Sequence, residues 1–242
     1  MADSGARSPS LRTGWRAWLG QRPADRPAPP GLRWVVLDVE SRGLDAHRDR
    51  LLAVACVAVH WTGLDGDRPV IRLGDSFERV LRGSSDVPDR VNDQVRANIL
   101  LHGIGVGEQA AGVEHRLALQ ALRDWLAGSP VVGFHVAFDE TLLQRAMVAA
   151  GLPRLPQPFI DLEHVAQALH PGESARSLDD WMQRLGVHCS HRHRAAADAL
   201  ATAEILLRLW PDLRREAGRG GVRLQTLQGL ARARKWLQRP GR

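Results

Sequence analysis

The chain has 242 residues, with 33 Lys and Arg against 27 Asp and Glu for a net charge of +6, and two cysteines. That length suits one catalytic domain with extensions, and two cysteines, Cys56 and Cys189, exclude a disulfide framework and fit a reducing compartment. No apolar run reaches the ~18 residues that span a bilayer and no signal-peptide core opens the chain, so a membrane role is excluded and a cytoplasmic location expected.

Charge is uneven along the chain. Residues 1–33 carry six Arg against two Asp, and residues 213–242 carry eight Arg and Lys235 against Glu216 alone. Residues 34–212 hold 18 Arg, no Lys and 24 acidic residues, a net of −6. An acidic centre with basic flanks can hold cations while drawing in a polyanion. The flanks can equally be solvated tails without a partner.

In chain order, Leu11–Leu19 spaces apolar residues three and four apart, as a short amphipathic helix does. Asp25–Gly31 is a Pro-rich linker. Residues 1–32 therefore form a basic N-terminal extension, which packs on its own domain or docks to another protein. Strands follow near residues 33–40, 51–60 and 68–73, expected as the middle three of five. A helix over 108–127 presents Val113, Leu117, Leu119, Leu122 and Leu126 on one broad face. Further strands lie near 130–134 and 158–161. Helices are predicted over 137–150, stopped by Gly151-Leu-Pro, and over 162–170, 177–186 and 194–209, the last ended by Trp210-Pro211. The central domain spans 33–212. A basic C-terminal extension, 213–242, carries an amphipathic helix over 222–237 with Arg232, Arg234, Lys235 and Trp236. Within it, Gln225–Leu230 faintly resembles a sliding-clamp-binding peptide but lacks the aromatic ending.

Three short clusters carry the chemistry. Asp38 and Glu40 end the first strand in Leu-Asp-Val-Glu-Ser-Arg-Gly, and two-residue spacing puts both side chains on one face. Asp139 falls in the first turn of the helix after Gly133-Phe-His-Val-Ala-Phe-Asp. His193 precedes, and Asp198 lies one turn inside, an Ala-rich helix. Each has a plain alternative: an acidic strand end, a carboxylate complementing a helix dipole, a surface histidine. Together they set carboxylates at strand ends and helix starts, which gather on one edge of an α/β sheet. Buried carboxylates of this kind persist when a cation pairs with them. Cys189-Ser-His-Arg-His tempts a zinc reading, but ligands so crowded give poor tetrahedral geometry.

The three segments resemble motifs I, II and III of the DEDDh 3′–5′ exonuclease superfamily, in particular the proofreading epsilon-type exonuclease of bacterial DNA polymerase III. Asp38-Val-Glu40-Ser41-Arg42-Gly43-Leu44 is similar to Asp-x-Glu-Thr-Thr-Gly-Leu, the second segment to His-Asn-x-x-Phe-Asp, and His193 to Asp198 to His-x-x-x-x-Asp. Leu101-His-Gly-Ile104, Phe159-Ile-Asp161 and Ser177-Leu-Asp-Asp-Trp match weaker landmarks, so the likeness covers about residues 33–210. Arg42 replaces a Thr, and Phe134-His135 replaces the family's His-Asn pair, which touches the substrate end.

The resemblance implies a ribonuclease-H-like α/β fold, a mixed five-stranded sheet flanked by helices. It implies two divalent cations, Mg²⁺ or Mn²⁺, about 3.5–4 Å apart. Asp38 would bridge them, Glu40 and Asp198 would complete one site, and Asp139 would support the other. His193 would be the general base, since imidazole ordinarily titrates near ~6.5. Ser41, Gly43, Leu44, His102, His135 and Phe138 would contact substrate, Leu44 as a wedge against the terminal base and Phe138 beneath the site. The expected activity removes nucleoside 5′-monophosphates from the 3′ end of single-stranded DNA in proofreading or repair. An exoribonuclease acting on RNA ends is the alternative within the class. A non-catalytic nucleic-acid or protein adaptor is the alternative outside it. The terminal extensions are the expected route to a protein partner.

Overall fold

A computed structural model describes residues 33–62, 68–83, 97, 99, 100 and 102–237. The N-terminal helix and linker predicted over 11–31 lie outside the described residues. Five strands form one mixed sheet: β1 (Arg33–Ser41), β2 (Leu51–Thr62), β3 (Arg68–Val80), β4 (Val131–Gly133) and β5 (Phe159–Asp161), in the order β3-β2-β1-β4-β5. The first three run antiparallel in series, while β4 pairs with β1 in parallel and β5 with β4 in parallel. This is a ribonuclease-H-like α/β architecture.

Of the three strands expected in the middle of the sheet, β1 and β2 lie there and β3 does not, its place being taken by β4. β1 is central, between β2 and β4, and β3 is an edge. The residues of β3 show why: Val70, Leu73 and most of their neighbours are exposed or half-buried, whereas β1 and β2 are almost wholly buried. β3 also runs to Val80, past the predicted end at 73. A register shift opposite Val57/Ala58 lets the longer strand continue.

The helices are α1 (Val106–Ala110), α2 (His115–Leu126), α3 (Ala137–Ala149), α4 (Leu162–Leu169), α5 (Leu178–Leu185), α6 (Ala195–Ala217) and α7 (Leu224–Leu237). Alternation along β1 divides two cores. Trp34 and Val36 face the core shared with α4, α5, α6 and α7. Val35, Leu37 and Val39 face the core shared with α2 and α3.

The helix predicted over 108–127 is two helices. Gly112 lies under the Leu81 backbone, where a Cβ would stand 2.7 Å from the Leu81 carbonyl carbon. Val113 there bridges to Leu81 instead of joining a helix face. Glu114 then caps α2 by accepting from the Arg116 and Leu117 amides. Leu119, Leu122 and Leu126 are buried as expected, but Leu117 points to solvent.

Trp210-Pro211 does not end α6, which runs on to Ala217. A proline inside a helix forfeits one hydrogen bond and costs ~3 kcal/mol. Here Trp210 packs against Trp61, with ring centroids 4.8 Å apart, and Leu213 is wholly buried, so packing outweighs the break. The expected domain limit at 212/213 thus falls inside a helix. α7 then folds back along α4 and buries Leu227 completely. The clamp-like segment Gln225–Leu230 is therefore part of a packed helix, with Leu227 inward.

Replacing Leu227 by Ala should lower unfolding free energy by about 2–5 kcal/mol, measured by urea denaturation. No loss of stability would mean that α7 is a detachable tail.

Candidate active site

Asp38 and Glu40 stand on the even-numbered face of β1, the side over which α6 lies. Ala55 and Ala53 sit opposite them on β2, and these small partners leave the carboxylates room. A register irregularity between Glu40 and Ser41 disturbs the ladder at the acids, and beyond the Ser41–Leu51 pair the chain turns into the β1–β2 loop. Asp198 approaches from the first turn of α6, whose buried Ala195, Ala199, Ala201 and Ala203 permit close contact with the sheet. Asp139, in the first turn of α3, comes from the opposite face. Its Oδ1 accepts from the Val39 amide at 3.1 Å, which ties the second cluster to the first across a hundred residues of chain. Gly133 allows the tight passage from β4 into α3: a Cβ there would lie 2.6 Å from Val136 Cγ2 and 3.2 Å from the Leu37 carbonyl oxygen.

The crowding has electrostatic consequences. Burial pushes the Asp38 carboxyl well above the usual carboxylate range, and Asp139, Asp198 and Glu40 push it further, against the pull of Arg192. Glu40 is raised to about 8 by burial and then by Asp198, with the Ala195 amide and Arg192 opposing. Asp139 is raised to about 8, chiefly by burial, with Asp161 and Glu40 adding repulsion and the Val39 amide opposing. Asp38 and Glu40 retain partly open faces, so the cluster is crowded by protein yet reachable from outside.

Four hard carboxylate oxygen donors that repel one another suit a hard divalent cation. Among the described residues, no three Asp, Glu, His or Cys side chains yet close into a ready-made cage. Some donors have other partners: Asp139 the Val39 amide, and Asp198 the His193 amide at 3.1 Å together with the Arg192 guanidinium.

His193 is held by its backbone, in a left-handed conformation (φ 62°), and its ring is exposed. His135 is likewise left-handed (φ 55°) and exposed, its amide bonded to Asp161 Oδ1 at 3.1 Å. Ser41 turns inward and donates to the Gly43 carbonyl at 2.5 Å. Gly43 is buried and Leu44 is 88% exposed at the loop tip. Phe138, next in sequence to Asp139, and residues 42–50 line an open cleft of about 860 Å³. His102 is buried, and its Nδ1 accepts from the Ile104 amide at 3.0 Å, so that nitrogen shapes its own loop.

The sequence reading passed over three residues that shape the site. Asp161, noted only as a landmark, caps α4 and also holds the turn at His135. Arg145 pins the β1–β2 loop through the carbonyls of Ala46 and Asp49. Arg192 pairs with Asp198 and with Asp179. The Phe-Ile-Asp ending before a helix was a signal for the first; the other two have no sequence signature.

A family model described as exonuclease (RNase T) matches residues 35–206. The chain belongs to this exonuclease family, and its motifs resemble the DEDDh epsilon-type members. A PolC-type DNA polymerase III of Lacticaseibacillus paracasei is 28% identical over 177 residues, 73% of this chain and 11% of that one. A DNA polymerase III subunit epsilon-like protein of Rhodobacter capsulatus is 26% identical over 207 residues, 84% of this chain and 27% of that one. E. coli exonuclease I in complex with a dT13 oligonucleotide superposes with a TM-score of 0.60 at 17% identity, over 76% of this chain and 42% of that one. The chain spans about a tenth of the PolC-type relatives and about a quarter of the epsilon-like one. No helix among the described residues is long and apolar enough to cross a membrane.

Glu40 and Asp139 rise from ordinary values of 4.5 and 3.8 to about 8. Between those limits the folded chain binds more protons than the unfolded one, so stability falls as pH rises. The melting temperature of chelator-treated protein should therefore drop from pH 5 to pH 8. Millimolar Mn²⁺ should raise it more at pH 8 than at pH 5. Equal metal stabilisation at both pH values would show that these carboxyls do not bind the ion.

Proposed function

We propose that this exonuclease hydrolyses phosphodiesters at the 3′ end of single-stranded DNA and releases nucleoside 5′-monophosphates. The observation that carries the reading is the convergence of Asp38, Glu40, Asp139 and Asp198 on one sheet edge, where each of the first three is destabilised by its neighbours' charge. Two Mg²⁺ or Mn²⁺ ions held there would offset the charge of the scissile phosphate and of the departing oxygen.

The chain's own residues do the rest. Asp38 and Glu40 present their oxygens from a strand fixed on both sides by β2 and β4. Asp139 is oriented by the Val39 amide and Asp198 by the His193 amide. His193 takes the proton of the attacking water at an imidazole nitrogen. The αL backbone at His193 leaves the ring exposed beside the site. The terminal nucleotide lies in the cleft between residues 42–50 and Phe138, with Leu44 against its base. The basic C-terminal segment offsets the acidic core for an incoming polyanion. The DNA preference draws support from the relatives, which include DNA polymerase III proteins and an exonuclease I bound to dT13.

A 3′-labelled single strand should release labelled mononucleotide with Mg²⁺ or Mn²⁺, and an RNA strand of the same sequence should be cut more slowly. Asp38→Ala should reduce the rate by about a hundredfold or more. Retention of wild-type rate in that variant would remove Asp38 from the site. His193→Ala should slow hydrolysis by about a hundredfold with DNA binding retained. A wild-type rate in that variant would assign the base elsewhere.

A further inference from the structure

Arg192 enters the carboxylate cluster from the loop between α5 and α6. Its Nε donates to Asp179 Oδ1 at 2.5 Å, and its Nη1 makes a close ion contact with Asp198 Oδ1. The two anchors differ in exposure. The side chain of Asp179 is 63% exposed in the first turn of α5, whereas that of Asp198 is 9% exposed in the first turn of α6. The Asp179 contact is a formed hydrogen bond. At Asp198, Nη1 meets Oδ1 in a contact closed off from water. One guanidinium is thus shared between two carboxylates, one prong on each, instead of gripping a single carboxylate with two. Its charge also reaches Asp38 and Glu40.

We propose that Arg192 is a displaceable internal counter-ion: in the metal-free protein its guanidinium fills part of the cation position at Asp198, and loading of a divalent ion breaks that contact and leaves the arm on Asp179 alone. This rests on the metal-site reading above. A doubly charged ion that takes Asp198 as an oxygen ligand must remove a guanidinium from the same oxygen atom, because the two cations repel at that range. Asp179 gives the released arm a place to stay. The same contact keeps the metal-free cluster from carrying its repulsion without compensation.

The test is calorimetric titration of the full chain with MnCl₂ at pH 8, with wild type, R192Q, D179N and the double variant compared. R192Q should tighten Mn²⁺ binding roughly tenfold. D179N should weaken it, since the arm then has only Asp198 to hold, and that weakening should vanish in the R192Q background. R215Q removes an equal charge from an exposed position near the far end of α6 and should leave affinity within about twofold. R192Q should also melt lower than wild type without metal and recover with saturating Mn²⁺. Unchanged or weaker binding in R192Q overturns the proposal, as does a D179N effect of equal size in both backgrounds. If R192Q does not fold, D179N decides alone: weaker binding supports the parking role and unchanged binding refutes it. If wild type and all variants bind no Mn²⁺, the metal-site reading falls and the proposal falls with it.

Discussion

Carboxylate repulsion is the constraint around which the rest of this fold is arranged. Asp38, Glu40, Asp139 and Asp198 are brought by three separate elements into a region where each raises the energy of another's charged form. Folding alone has no use for such an arrangement, since removing charge from water without a partner costs several kcal/mol. The scaffold tolerates it because β1 is clamped between β2 and β4, with two cores packed on its faces. Two backbone amides, of Val39 and His193, then orient the carboxylates that come from helices. The packed sheet carries the destabilised cluster at the end of its central strand.

The two sides of the sheet contribute differently. From one side, an alanine-rich helix start lets Asp198 come down close to Asp38 and Glu40. From the other, the turn after β4 swings Asp139 round the strand end. Small residues are the common device: Ala53 and Ala55 opposite the acids, Ala195 and Ala199 beneath α6, and Gly133 at the turn. Close approach of backbone to backbone is what allows short acidic side chains, from elements far apart in sequence, to share one site.

Much of this was legible in the sequence. Apolar runs marked β1 and β2, and the Asp-x-Glu spacing placed both acids on one face. Gly151 is the expected stop, in the left-handed region at φ 67°, and the helix expected over 177–186 forms behind a Ser177–Asp180 capping box. What failed did so for tertiary reasons. The order of strands depends on which partner β1 accepts, and local pattern does not encode that choice. Pro211 reads as a stop, yet Trp210 and Leu213 bury enough surface to carry the helix through it. The 108–127 segment has a continuous apolar rhythm, but its first turns are interrupted where Gly112 passes under Leu81. Arg192 and Arg145 act through long side chains that cross between elements, and neither spacing nor composition marks them.

The return of α7 onto α4 sets how the chain can be divided. The family match ends at residue 206, but Leu209, Trp210, Leu213 and Leu227 all lie in the same core as Trp34 and Trp61. A fragment trimmed to the homologous segment would leave an open apolar trough along one side of the sheet. Such a piece would be expected to associate through that trough, so the boundary of sequence likeness and the boundary of the folding unit are different places in this molecule.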